Sequence, residues 1–274
     1  MMNGKVFLIG AGPGDPELLT LKAFRTLQTA DVVLTDRLVS PEILRRYVSP
    51  QAETIYVGKQ CRRGASTPQQ TINELMVHYA SEGKAVVRLK GGDVSIFSNV
   101  LDELEALVTH RIPYEIIPGV TAALGAAAYG GIPLTARDYS TAVRFLTAYK
   151  SDVLADDYWK ELAATNDTLV FYMSSDTLDN VVAKLVENSI DKAKELAVIE
   201  QATTPYQKVY TSSLYDYETA LKNKTFFSPT LVIIGKVVSL RQQFAWLKEE
   251  EISTEYFKPL SVKTAEKEIL GLTA

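Results

Sequence analysis

Short apolar runs rich in β-branched residues recur along this chain, and helical patterns fill the gaps between them. In the first half the runs fall at residues 6–9, 32–34, 54–57, 85–89 and 114–117. Strands alternating with helices in this way must pair largely in parallel, because each helix carries the chain back over a face of the sheet. The sequence is therefore expected to be an α/β protein. After about residue 137 the spacing changes. Runs at 143–147, 168–173, 196–199, 208–211 and 230–234 predict a second sheet, with helices near 157–164 and 178–188. Two α/β lobes are expected, at 3–137 and 138–247, followed by a charged and mildly amphipathic tail at 248–274. Two helix starts can be read from cap chemistry. Asp15 is placed to cap a helix with Pro16 at its first position. Thr67 is placed to cap another, with Pro68 in the first turn and Gln70 closing a capping box.

At 274 residues the chain is long enough to bury a substantial core. Its formal charge is −4, from 29 Lys and Arg against 33 Asp and Glu, which argues against a general nucleic-acid binder. The single cysteine, Cys61, leaves no internal disulfide and fits a reducing compartment. The first strand pattern begins almost at once, so no signal peptide is expected before it. The softest long stretch, residues 119–134, is too short and too rich in Gly and Ala for a membrane span. A cytoplasmic protein without nucleic-acid or membrane partners is expected. His78 and His110 lie on helical patterns far from any cluster and read as structural or solvated, with no metal site expected.

The chemistry-bearing positions lie where predicted strands end. The first strand runs into Gly10-Ala11-Gly12-Pro13-Gly14-Asp15. A dinucleotide fingerprint has a third glycine where this chain has Asp15. Pro13 removes one N–H from the phosphate cradle, and Asp15 would repel an anion at the helix start. The loop suits close approach of a ligand or of neighbouring chain, but not a phosphate. Asp36, after the second strand at about the fingerprint distance, keeps a nicotinamide-dependent oxidoreductase open as an alternative. A second strand ends in Gly91-Gly92-Asp93, and a third breaks at Pro118-Gly119 before the small-residue helix pattern of 121–128. Open α/β sheets bind ligands at such carboxyl ends. The plain alternatives are tight turns and close helix–sheet packing.

In order, GAGPGDPELLTLKA, DRLVSPEIL, VGK, TPQQTIN, RLKGGD, IPGVTAALGAAAYGGIPLT, LVFYM and a late VIIGKVV are collinear with a known family. From about Gly4 to Phe244 the chain resembles the tetrapyrrole methylases, the class III S-adenosylmethionine-dependent methyltransferases, and among them those that C-methylate uroporphyrinogen III. The resemblance implies a two-lobed fold, with a mostly parallel sheet in the N-terminal lobe and a mixed sheet in the C-terminal one, and a homodimer. It implies S-adenosylmethionine as methyl donor, with contacts at Pro13, Gly91, Gly92, Asp93, Ile96, Thr121, Ala122 and Met173. Ala202 stands where the family has a glycine and serves if only backbone is used. Asp36 matches the family's proton acceptor and Lys59 its proton donor. On the residues alone, a cap or a salt bridge to Arg37 is the plainer role for Asp36.

The implied reaction methylates uroporphyrinogen III at C-2 and C-7, giving precorrin-2 for sirohaem or cobalamin synthesis. An acceptor with eight carboxylates needs cations, for which Arg37, Arg62, Arg63, Arg88 and Arg137 are candidates beside Lys59. The chain departs from the family at several acceptor-side positions. After Gly-Gly-Asp it reads residues 94–103 as VSIFSNVLDE, a plainer helix start than the family's glycine- and arginine-bearing loop. Ala136, Ala148 and Tyr149 replace family histidine, glycine and histidine. These departures keep a later precorrin, or a non-tetrapyrrole acceptor, open as the substrate. A binding protein that holds the donor without catalysis is a further alternative.

Overall fold

The computed structural model describes residues 4–58, 67–148, 155–174, 176–250 and 254–257. The chain forms two compact units, Met1–Thr121 together with Phe257–Ala274, and Ala122–Tyr256. The sequence pattern puts the joint at 137. The units part earlier, between Thr121 and Ala122, because the small-residue helix that follows packs on the second sheet.

The first unit holds β1 (Lys5–Gly10), β2 (Val32–Thr35), β3 (Glu53–Tyr56), β4 (Ala85–Lys90) and β5 (Tyr114–Ile117), in the spatial order β3-β2-β4-β1-β5. Every pairing is parallel. Side chains alternate between faces along each strand. Val6, Leu8, Leu34 and Val86 meet Ile72, Leu75 and Met76 of α3 (Gln69–Ser81) and Leu107 of α4 (Val100–Thr109). Ile9, Val33, Val87 and Leu89 meet Ala23 and Leu27 of α1 (Leu21–Leu27) and Ile43 of α2 (Pro41–Tyr47). With both faces covered, the strands read as the near-continuous apolar runs seen in the sequence.

Helix starts depart from the sequence expectation. Pro16–Leu18 forms only a 3₁₀ turn, with Asp15 Oδ1 accepting from Glu17 N–H at 2.8 Å. The chain then extends through Leu19 and Thr20, and α1 begins where Thr20 Oγ1 accepts from Ala23 N–H. Thr20 is the stronger cap because the apolar periodicity starts beside it. Pro68, not Thr67, is the cap residue of α3. Gln70 therefore sits one position short of the capping-box site and donates forward to Glu74. Residues 94–99 are irregular, with left-handed backbone at Phe97 and Asn99, and α4 starts only at Val100.

The second unit holds β6 (Val143–Thr147), β7 (Thr168–Tyr172), β8 (Glu195–Glu200), β9 (Lys208–Ser213) and β10 (Thr230–Gly235), in the order β6-β7-β10-β8-β9. Only β6 and β7 pair in parallel, so the sheet is mixed. One face is covered by α6 (Asp156–Ala164), α7 (Leu178–Glu187) and the short α8 (Tyr217–Ala220), with Trp159, Val181 and Leu185 against Phe171, Val198 and Val232. The other face receives α5 (Ala122–Gly130), whose Ala123, Ala126 and Ala127 lie against Val170, Ile199 and Ile233. Small residues on α5 thus serve close helix–sheet packing. A one-turn helix, α9 (Arg241–Phe244), follows β10. Among the described residues, no helix is long and apolar enough to cross a membrane.

Phe171 is wholly buried in this second core. Phe171→Ala should cost on the order of 3–5 kcal/mol, because it removes a buried ring and leaves a cavity in the core. A lowered urea midpoint by circular dichroism checks this; an unchanged midpoint would contradict the packing described.

Candidate active site

Strands β1, β2, β4 and β5 are in register and end at one edge of the first sheet, with Gly10 opposite Lys90, Thr35 opposite Leu89 and Ile9 opposite Ile117. The loops leaving this edge interlock through backbone. Gly12 N–H donates to Gly92 O at 3.0 Å, and Gly92 N–H donates to Gly12 O at 2.8 Å. Ala11 N–H donates to Lys90 O at 2.7 Å. A Cβ on Gly10 would sit 2.6 Å from Gly119 N and 2.7 Å from Gly92 O, nearer than atoms pack. One on Gly91 would meet Leu38 at 2.9 Å. Gly10 and Gly91 thus have no room for a side chain. Pro13, buried, follows directly on Gly12.

Asp93 ties two of these loops together. Its Oδ1 accepts from the N–H and the hydroxyl of Ser95, at 2.8 and 2.5 Å, and its Oδ2 accepts from Gly119 N–H at 3.0 Å. Partial burial works against ionisation. The bonds from Ser95, Gly119 and Val94 outweigh it and hold the carboxyl below the usual carboxylate range. Ile96 is half-buried on the irregular stretch that follows. Thr121, two residues beyond Gly119, is buried.

Asp36 leaves the end of β2, where its N–H donates to Leu89 O. Its Oδ1 accepts from Arg88 Nη2 at 2.6 Å, and about a quarter of the side chain, 27%, is exposed. The salt bridge is therefore to Arg88 on β4. Arg88 is 3% exposed, and its Nε donates to Glu103 Oε1 at 2.9 Å. Its Nη1 faces the carbonyls of Leu34 and Leu89, each at 3.3 Å. Lys90 Nζ donates to Glu103 Oε2 at 2.7 Å. Burial works against the charge on Arg88, but Asp36 and Glu103 hold its pKa above the ordinary value. Burial and the neighbouring Arg88 pull Lys90 below its ordinary value despite Glu103. Sequence reasoning missed Glu103 and Lys90. The available signal was Arg-Leu-Lys in an otherwise apolar buried strand, since two cations on one face demand an anion.

In the second unit, β7 and β8 both end beside the start of β10, with Tyr172 opposite Leu231 and Glu200 opposite Thr230. Met173 and Ala202 therefore leave the same sheet edge. Met173 is left-handed (φ 53°), a conformation that costs energy for a residue with a side chain, and 53% exposed. Ala202 is buried between left-handed Gln201 and Thr203. The first turn of α5 joins this edge, with Ala123 N–H donating to Tyr172 Oη at 3.0 Å, so Ala122 lies there too. Arg37 is half-buried next to Asp36 in the chain. Arg137 is exposed on a turn closed by Ala136 and Ser140. Lys59, Cys61, Arg62, Arg63 and Tyr149 lie outside the described residues.

Residues 5–218 match the tetrapyrrole (corrin/porphyrin) methylases. A siroheme synthase of Pseudomonas putida (strain W619) is 47% identical over 246 residues, which are 90% of this chain and 53% of that protein. The chain thus spans about half the length of the curated relatives it matches. A uroporphyrin-III C-methyltransferase from Thermus thermophilus, crystallised with S-adenyl homocysteine, aligns with a TM-score of 0.71 at 34% identity, over 86% of this chain and 100% of that one. A cobalt precorrin-4 methyltransferase aligns with a TM-score of 0.75 at 27% identity, over 85% of this chain and 95% of that one.

The lowered Asp93 carboxyl contributes stability that is present above its unfolded pKa of about 3.9. That contribution is lost as pH falls through the folded value. Asp93→Asn removes this titration, so the variant should lose less stability than the wild type between pH 5 and the acid transition. Urea midpoints measured across that interval check this; parallel pH profiles would contradict it.

Proposed function

We propose, from the premise that this chain belongs to the tetrapyrrole (corrin/porphyrin) methylases, that it transfers methyl groups from S-adenosylmethionine to C-2 and C-7 of uroporphyrinogen III. The products would be precorrin-2 and S-adenosylhomocysteine, serving sirohaem synthesis. The observation that carries this reading is the Gly-Gly-Asp strand end. It offers an anchored carboxylate, and its partner loop has a proline and Asp15 where a phosphate cradle would need N–H donors and no anion. Those groups fit a cationic sulfonium nucleoside.

The donor supplies an electrophilic methyl group on positively charged sulfur. The contacts proposed for it on the family pattern are Pro13, Gly91, Gly92, Asp93, Ile96, Thr121, Ala122, Met173 and Ala202. Asp93 accepts from polar groups of the donor. Ile96 and the exposed Met173 offer apolar surface suited to adenine. Holding a nucleophilic pyrrole carbon in line with the methyl group provides much of the rate enhancement. Asp36 is the proposed acceptor of the proton that the methylated ring must lose, and Lys59 the proposed donor. Arg88 is fully engaged with Asp36, Glu103 and two carbonyls, so its proposed part is to orient Asp36. Arg37, Arg62, Arg63 and Arg137 remain the proposed partners of the acceptor's carboxylates. A homodimer is proposed on the family pattern.

A later precorrin is the second reading. Two observations favour it: the irregular stretch 94–99 replaces a glycine- and arginine-bearing loop, and a cobalt precorrin-4 methyltransferase aligns as well as the uroporphyrin-III enzyme does.

Anaerobic incubation with uroporphyrinogen III and S-adenosylmethionine, read by mass and absorbance, should give a product heavier by two methyl groups. No added mass would reject this acceptor. Asp36→Ala should retain affinity for S-adenosylhomocysteine and lose about 10²–10⁴-fold in turnover. Wild-type turnover in that variant would remove Asp36 from the chemistry.

A further inference from the structure

The first unit buries a chain of four alternating charges: Asp36, Arg88, Glu103 and Lys90. Only Asp36 reaches the surface. Glu103 is wholly buried, and Arg88 and Lys90 are each 3% exposed. An apolar replacement of the three buried charges would be no less stable in general, so stability alone does not account for them. Their geometry has a direction. Lys90 and Arg88 sit two apart on one face of β4, Glu103 comes down from α4 with one oxygen on each, and Arg88 passes the arrangement to the partly exposed Asp36 carboxylate at 2.6 Å.

We propose that Glu103 and Lys90 are positioning residues, which set the orientation and basicity of Asp36 through Arg88. This rests on the reading of Asp36 as proton acceptor. The groups that act electrostatically on Arg88 and Lys90 are Asp36 at the end of β2, each other on β4, and Glu103 on α4. As found, the four charges sum to zero. Removing the Glu103 charge leaves Asp36 facing two cations, which favours its ionised form. Removing the Lys90 charge leaves two anions sharing Arg88, which favours its protonated form. The two changes must therefore move Asp36 in opposite directions. Damage to a merely structural cluster would move both variants the same way.

Glu103→Gln and Lys90→Met in the full chain are compared with wild type by carboxyl ¹³C NMR titration, with the Asp36 signal assigned from Asp36→Asn. The pH dependence of single-turnover methyl transfer to uroporphyrinogen III is followed in parallel. The Asp36 midpoint should fall in Glu103→Gln and rise in Lys90→Met, because the first change removes an anion and the second a cation from the chain that ends on Asp36. The acid limb of the rate should follow each shift, while affinity for S-adenosylhomocysteine stays within twofold. Glu103→Gln leaves buried cations undercompensated, so Lys90→Met carries the test if Glu103→Gln does not fold. An unmoved midpoint in a folded variant, or shifts of the same sign in both, overturns the inference. Full turnover in Asp36→Asn instead overturns the reading of Asp36 on which the inference stands.

Discussion

The closeness of three strand-end loops governs the first unit. Gly10, Gly92 and Gly119 bring their backbones nearer than a single Cβ would permit, and the Gly12–Gly92 bridge and the Asp93–Gly119 bond lock the result. The edge of the parallel sheet becomes a rigid surface of backbone with one carboxylate fixed in it. Rigidity matters because group transfer depends on alignment within a fraction of an ångström. The same closeness explains why the loop is a poor phosphate site: its N–H groups at Gly12 and Gly92 already face carbonyls.

Below that surface lies a second, electrostatic constraint. A parallel strand buried on both faces has no ordinary place for Arg88 and Lys90. They persist because Glu103 answers both and Asp36 answers Arg88. The arrangement links a wholly buried carboxylate on α4 to a partly exposed one at the sheet edge. In the second unit, the strained, exposed Met173 and the left-handed pair around Ala202 leave one sheet edge, and Tyr172 pins the start of α5 to it. Each unit thus gathers its proposed donor contacts where its strands end.

Much of this was legible in the amino-acid order. The strands could be read because β-branched runs of four to six residues bounded by Gly, Pro and Asp have few other solutions. The parallel and mixed sheets followed from helix spacing and the family resemblance. Helix starts were less legible because neighbouring caps compete: Asp15 and Thr20 both bind a backbone N–H, and only Thr20 opens an α-helix. The small residues of α5 were ambiguous between ligand contact and packing, and Ala123, Ala126 and Ala127 pack. The partner of Asp36 was hidden because Arg88 lies 52 residues away on a strand adjacent only in space. Glu103 was hidden because the irregular stretch after Asp93 sets where α4 begins, and so which of its faces turns inward.

The proposed site at the interlocked strand ends takes a sulfonium nucleoside and not a pyrophosphate. Isothermal titration of the intact chain with S-adenosylhomocysteine and, separately, with NAD tests this most directly. Saturable binding of S-adenosylhomocysteine at one site per chain, with no heat from NAD, is the expected result. Tight binding of NAD with none of S-adenosylhomocysteine would contradict it.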